Sequence, residues 1–196
     1  MKDSRIASGG LVLLGCGKMG SAMLTGWLEK GLPPASVYVI EPYASDWLRA
    51  SGVNLNTTLP EAPASVLLAV KPQMMTEALP TLEAMGNGST LFVSVAAGIT
   101  LSFLEDALGA DTPIVRTMPN TPAAVAQGVT AMVGNAKTSA SALDEAEMLL
   151  SAVGDVVRVE SEAQMDAVTG VSGSGPAYVF HLIETLASAG EAQGLA

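Results

Sequence analysis

Short, almost wholly apolar runs recur along the chain, separated by longer stretches in which apolar residues return every three or four positions. Leu11–Leu14, Val37–Ile40, Ser65–Val70 and Thr90–Val95 read as buried strands, with weaker ones near Val53–Leu55 and at Ile114–Arg116, Val129–Val133 and Val156–Val159. Helical spacing falls on Lys18–Lys30, Ser45–Ala50, Gln73–Met85, Ser102–Leu108 and Ser139–Val153. Strands apolar on both faces and spaced by helices predict an α/β fold around a mostly parallel sheet covered on two sides. The opening Met1–Arg5 stretch mixes charges and is expected to lead straight into the first strand, without the layout of a signal peptide.

After Glu160 the pattern changes. Ser161–Thr169 and Pro176–Ala189 both read as helix with no further strand, and Gly190–Ala196 as a turn out of a helix. The expected division is therefore 1–160 for the α/β domain and 161–196 for the start of an all-helical second domain. So short a segment is too small for a core of its own, and the expectation is that something beyond these residues completes it.

Composition narrows the classes. Hydrophobic residues make up 49% of the 196 positions and charged ones 14%, enough for a large core. Nine Lys+Arg against nineteen Asp+Glu give a net charge of −10, which offers no basic face to nucleic acid or anionic lipid. Cys16 alone cannot make an internal disulfide, which fits a cytoplasmic protein. No Cys/His cluster with zinc-ligand spacing occurs, and the lone histidine, His181, is read as exposed or partner-facing rather than catalytic.

Gly15-Cys16-Gly17-Lys18-Met19-Gly20 is a G-x-G-x-x-G that directly follows the first strand and opens the first long helix. In that context each glycine has a job: a tight turn at Gly15, close approach of a pyrophosphate at Gly17, and close helix–strand packing at Gly20. Glu41, 21 residues after Gly20 at the end of the second strand, can accept hydrogen bonds from an adenosine ribose. The reading is a Rossmann-like, dinucleotide-binding domain.

Dinucleotides lie across the carboxyl ends of such strands. Asn56 and the Ala69-Val70-Lys71-Pro72 and Ala96-Ala97-Gly98 segments follow strands three, four and five. Lys71 can donate to ribose hydroxyls or simply be solvated; Ala96, Ala97 and Gly98 suit either close backbone approach to a ligand or helix–sheet packing. Arg116–Pro122 (RTMPNTP) reads as a rigid polar loop at the same edge, with a structural turn the competing reading. The glycines of Gly170–Gly175 are expected to let helices of the second domain pack closely against the first.

These motifs, with Ser172-Gly173-Ser174-Gly175-Pro176-Ala177-Tyr178, occur in an order and spacing that resembles pyrroline-5-carboxylate reductases across essentially the whole chain. The resemblance implies reduction of the cyclic imine 1-pyrroline-5-carboxylate to L-proline by hydride from NADPH or NADH. It implies a nucleotide resting on the glycine turn, Asn56, Ala69–Pro72 and Ala96–Gly98. It also implies a helical dimerisation domain that builds a homodimer, in some members assembled further into decamers. Asn120, Thr121 and Pro122 become candidates for the wall beside the nicotinamide. Glu162 is a candidate to approach the ring nitrogen, with a solvated acid at a helix start as its alternative.

Two departures qualify this. Members of the family run longer, and their later Thr-Ser-Pro-Gly-Gly-Thr segment has no counterpart here, so a chain of this length is expected to bind nucleotide but turn over poorly. Glu41-Pro42 stands where NADPH-preferring members carry a basic or hydroxyl residue, which weakens the expected preference for NADPH. A β-hydroxyacid dehydrogenase shares the two-domain plan, and Gly170, Gly173 and Gly175 fit its G-x-x-G-x-G-x-x-x-K, but Val179 stands at the lysine position. A non-catalytic dinucleotide-binding protein is the reading from a different class.

Overall fold

The computed structural model describes residues 1–2 and 4–195. A short helix comes first, α1 (Arg5–Gly9), capped by the Ser4 hydroxyl, which accepts from the Ala7 amide; it buries Ile6 completely. The sequence reading had no helix here: a single capped turn with one apolar anchor leaves too little periodicity to detect. Asp3, within that N-terminal reading, lies outside the described residues.

Then follow β1 (Leu11–Leu14), α2 (Lys18–Glu29), β2 (Val37–Ile40), α3 (Asp46–Ala50), β3 (Asn54–Leu55) and β4 (Ser65–Leu68). The chain continues through α4 (Met75–Ala78), β5 (Leu91–Ser94), α5 (Leu101–Leu108), β6 (Ile114–Met118), β7 (Gly128–Gly134), α6 (Ala140–Leu150) and β8 (Gly154–Arg158). Only helical elements follow: a 3-10 turn at Glu162–Gln164, α7 (Met165–Val168), a π-helical turn at Thr169–Gly173 and α8 (Gly175–Ala192). Of the turn expected at Gly190–Ala196, Gln193 and Gly194 form it, and Ala196 lies outside the described residues.

One eight-stranded sheet has the order β3-β2-β1-β4-β5-β6-β7-β8. Pairing is parallel except between β6 and β7, which run antiparallel. Strand side chains alternate between two cores. Leu11, Leu13, Leu67 and Val93 face Met23, Trp27 and Leu149 on one side, whereas Val12, Leu14, Val66 and Phe92 face Met75, Leu82 and Leu104 on the other. The Trp27 indole N–H donates to the Leu149 carbonyl at 2.8 Å, so α2 and α6 share one buried polar contact instead of orphaning the nitrogen.

Two expected elements differ. The helix predicted over Gln73–Met85 is broken into 3-10, α and 3-10 pieces, because Pro80 has no N–H to give to an i−4 carbonyl. The predicted strand ends at Arg116, but Thr117 and Met118, expected in the loop, continue β6 opposite Met132 and Ala131. A second backbone reversal, in which β7 returns antiparallel, supplies partners for these residues that a single-strand reading cannot see.

Candidate functional site

The sheet order reverses at β1: β2 and β3 build outward on one side, β4 to β8 on the other. The turn after β1 therefore opens at the crevice where ligands of such sheets lie. Gly15 has φ +87°, and a Cβ there would stand 2.9 Å from the Val70 amide nitrogen, so Val70 packs on the turn itself. At Gly20 a Cβ would meet the Gly15 carbonyl oxygen at 2.4 Å, which is how closely α2 rests on the strand end. Around Gly17 nothing lies within 4 Å. That cradle is open where a phosphate needs backbone contact, at the N-terminus of a twelve-residue helix that no side chain caps. The residues present fit a dinucleotide.

On the β2 side, Glu41 is half-buried and turned toward the glycine loop. Its Oε2 accepts from the Cys16 amide at 2.8 Å and its Oε1 from the Tyr43 amide at 2.9 Å. Asn56, at φ 50°, uses its side chain on the Glu41 backbone: Oδ1 accepts from the Glu41 N–H and Nδ2 donates to the Glu41 carbonyl, both at 2.9 Å. Burial, and behind it the Glu41 carboxylate, pushes the Cys16 thiol up to about 11.

On the other side, Lys18, Met19, Val95, Ala97, Met118, Asn120 and Thr121 line a cleft of about 370 Å³ that Gly173 closes from the helical segment. Its wall is held by Asn120, whose Oδ1 accepts from the Val129 N–H at 2.9 Å while Nδ2 donates to the Ser172 hydroxyl at 3.3 Å. Thr121 is exposed at the mouth, and Lys71, Ala97 and Gly98 are exposed along the strand ends; Ala96 is buried. A cleft of about 730 Å³ at the amino ends of the strands is larger, but its charges are paired with each other, Arg5 with Glu145 and Lys137 with Asp111.

Glu162 stands apart from this cleft. Its Oε1 accepts from the buried Arg116 guanidinium at 2.7 Å and from the Leu101 N–H, the first of α5, also at 2.7 Å. A carboxylate at a helix N-terminus is favoured by the dipole, and here it also neutralises a cation on β6. Glu162 is thus neither the solvated acid nor a group free in the cleft, but a tie between β6, α5 and the helical segment.

Ser172 and Met118 join the site from motifs singled out in the sequence, Ser172–Tyr178 and Arg116–Pro122, in which neither was given a role of its own. The π-turn that carries Ser172, a device that re-aims side chains at many functional sites, is not visible as a periodicity. Of the glycines expected to pack there, only Gly173 does, with a Cβ position 2.5 Å from the Met118 methyl; Gly170 and Gly175 face open space.

Comparison with known proteins agrees with this geometry. A family model described as pyrroline-5-carboxylate reductase dimerisation matches residues 162–196, and one described as NADP oxidoreductase coenzyme F420-dependent matches residues 10–98. The pyrroline-5-carboxylate reductase of Pseudomonas aeruginosa is 40% identical over 191 residues, covering 94% of this chain and 70% of that protein. Among solved structures, the reductase of Coxiella burnetii superposes with a TM-score of 0.86 at 31% identity, over 96% of this chain and 72% of that one. The Plasmodium falciparum reductase, solved with NADP bound, does so with a TM-score of 0.83 at 27% identity, over 95% and 71%. A prephenate dehydrogenase from Aquifex aeolicus, 18% identical with a TM-score of 0.68, shares the fold alone. With the dinucleotide cradle and the helical extension both in place, the chain belongs to the pyrroline-5-carboxylate reductase family, oxidoreductases that use NAD(P)H.

Proposed function

We propose that the protein reduces 1-pyrroline-5-carboxylate to L-proline, with residues 1–160 holding the nucleotide and 161–196 beginning the helical dimerisation domain. The observation that carries this reading is the cleft where the glycine turn, the ends of β5 and β6 and Gly173 of the helical segment meet. It sits at the sheet's switch point, and both halves contribute to it.

A bound nicotinamide supplies the hydride. The chain's share is binding and orientation: Gly15, Cys16, Gly17, Lys18, Met19 and Gly20 cradle the phosphates, and Glu41, supported by Asn56, meets the adenosine ribose. Ala69, Val70, Lys71 and Pro72, with Ala96, Ala97 and Gly98, line the strand ends beneath it. Asn120 and Thr121 form the wall beside the ring, and the Asn120 amide, held by Val129 and Ser172, keeps that wall in register with the helical segment. Addition of hydride to an iminium carbon asks for two rings held face to face, an arrangement worth several powers of ten in rate. Glu162 contributes by fixing the junction through Arg116 rather than by entering the cleft.

The helical segment supports a homodimer. Tyr178, Val179, Phe180, Leu182, Ile183 and Leu186 of α8 are all more than half exposed, an apolar surface larger than isolated soluble helices carry. Assembly of such dimers into decamers and a cytoplasmic location belong to the same reading; among the described residues no helix is long and apolar enough to cross a membrane. The test is proline formation from 1-pyrroline-5-carboxylate with stoichiometric loss of NAD(P)H absorbance. It is run on this chain and on one extended to the length of its relatives; nucleotide binding without proline formation in both overturns the reductase reading and leaves the binding module.

A further inference from the structure

We infer that the pocket at the end of β2 selects a dinucleotide whose adenosine ribose carries free hydroxyls over one phosphorylated at the 2′ position, with Asn56 as the positioning residue that holds Glu41 for that choice. The inference rests on the proposed placement of the nucleotide at the glycine turn.

Glu41 is held at both ends. Its backbone is gripped by the Asn56 amide through two hydrogen bonds of 2.9 Å, an imitation of one more ladder pair beyond the last residue of β2. Asn56 reaches that position from a left-handed backbone, φ 50°, which asparagine tolerates and most side chains do not. Its own N–H is already spent on the Val39 carbonyl at 2.8 Å. Both ends of the side-chain amide are turned to the Glu41 backbone, and it is through Glu41 that we assign Asn56 its effect on the choice of nucleotide.

The Glu41 carboxylate is fixed in turn by the Cys16 and Tyr43 amides, one on each oxygen. The bond to Cys16 ties it to the phosphate cradle, where an adenosine ribose comes to rest. Each oxygen keeps a lone pair, so it can still accept from a ribose hydroxyl, which is a donor. A 2′-phosphate offers no donor at neutral pH and brings negative charge against a carboxylate that cannot swing away without breaking both bonds. Among the described residues no lysine or arginine forms an ion pair with Glu41. Like charges a few ångströms apart in a half-buried site should cost roughly 10- to 100-fold in affinity.

The experiment titrates the protein with NADH and with NADPH and follows nicotinamide fluorescence, so the readout is the ratio of two Kd values rather than turnover. The protein should bind NADH roughly tenfold or more tightly than NADPH. Glu41→Ser should move the ratio toward NADPH by roughly 10- to 100-fold, and Glu41→Gln, which keeps the shape and removes the charge, should move it the same way by less. Asn56→Gly suits the left-handed backbone and removes only the amide, so it should shift the ratio in the direction of Glu41→Ser. In the Glu41→Ser background the same Asn56→Gly change should leave the ratio where it is, because the group it positions is gone.

Equal affinities in the unaltered protein, or a ratio unmoved by both Glu41 variants, overturns the selectivity. A ratio unmoved by Asn56→Gly, with both affinities lowered alike, overturns the positioning role. Gly17→Val separates these from the underlying placement: if it leaves NADH and NADPH binding intact, the nucleotide does not rest on this turn, and both readings fall together.

Discussion

α2 opens at the cleft and α8 begins two residues past Gly173, which closes it, yet the fold treats these two long helices oppositely. α2 contains two glycines, Gly20 and Gly26, and a polar face, yet it buries Met23, Leu24 and Trp27 between the sheet and α6. α8 also carries large apolar side chains, Tyr178, Val179, Phe180, Leu182, Ile183 and Leu186, and buries none of them. Apolar content therefore did not decide burial. What decided it was whether a complementary surface lies within the same chain: α2 has the sheet beneath it, and its glycines let it come within backbone contact of Gly15 and Ala152. The helical segment meets the sheet half at few points, chiefly the Arg116–Glu162 tie, the Asn120–Ser172 bond and Gly173 against Met118.

If that contrast is right, the largest stability loss should come from disturbing α2. Gly20→Ala puts a methyl 2.4 Å from the Gly15 carbonyl, and α2 is pinned by Trp27 and cannot retreat. The expected cost is about 3 kcal/mol, a fall in thermal midpoint of roughly 6–12 °C by calorimetry. A near-silent Gly20→Ala would mean the helix is not seated as tightly as the geometry indicates.

Next comes the seam. Glu162→Ala leaves the buried Arg116 guanidinium only the exposed Asp166 carboxylate at 4.0 Å, and Glu162 itself is 31% exposed, so solvent moderates the loss. About 2 kcal/mol is expected, together with faster proteolysis between Arg158 and Gly175 than in the unaltered protein. Unchanged cleavage would show that the helical segment is held by something other than this ion pair.

Gly17→Ala sharpens the comparison from inside α2's own cap. Open space around Gly17 predicts a stability change of about 1 kcal/mol or less, with nucleotide affinity strongly reduced. Stability loss equal to that of Gly20→Ala would erase the distinction between a packing glycine and a binding one. On α8, Leu182→Glu with Leu186→Glu should abolish self-association in sedimentation while leaving the sheet half's stability within about 0.5 kcal/mol, as expected of positions more than half exposed.

The smallest effect is on Cys16. A thiol raised to about 11 carries roughly a thousandth of its population as thiolate at pH 8, so iodoacetamide should label it far more slowly than free cysteine. The sign for stability follows from the unfolded value of 9.0: the folded state keeps the proton longer, so this contribution is complete below about pH 9 and is lost as pH rises toward 11. Glu41→Gln should speed labelling modestly, since burial is the larger cause.

Much of this architecture was legible from residue pattern. β1 and β2 need no correction: β1 is buried on both faces and β2 on one with the other half-covered, and both leave unbroken apolar runs. The glycine turn was legible because its three glycines sit at a strand–helix junction whose geometry tolerates nothing else at Gly15 and Gly20. The rest depended on partners distant in sequence. Asn56 looked like a polar residue after a weak strand, and its engagement with Glu41 requires β2 and β3 to lie side by side. Thr117 and Met118 looked like part of a loop until β7 came back to pair with them.

Local chemistry in the chain thus determined most of the strands and long helices, where the glycine turn opens and which residues stand at the strand ends, since each follows from periodicity, glycine's missing side chain and short-range spacing. Only the tertiary structure decided what those residues do there. Glu162 became a junction tie, Asn56 a clamp and α8 an uncovered surface because hydrogen-bond partners and burial are set by which elements become neighbours in space. A linear pattern carries no record of those distances.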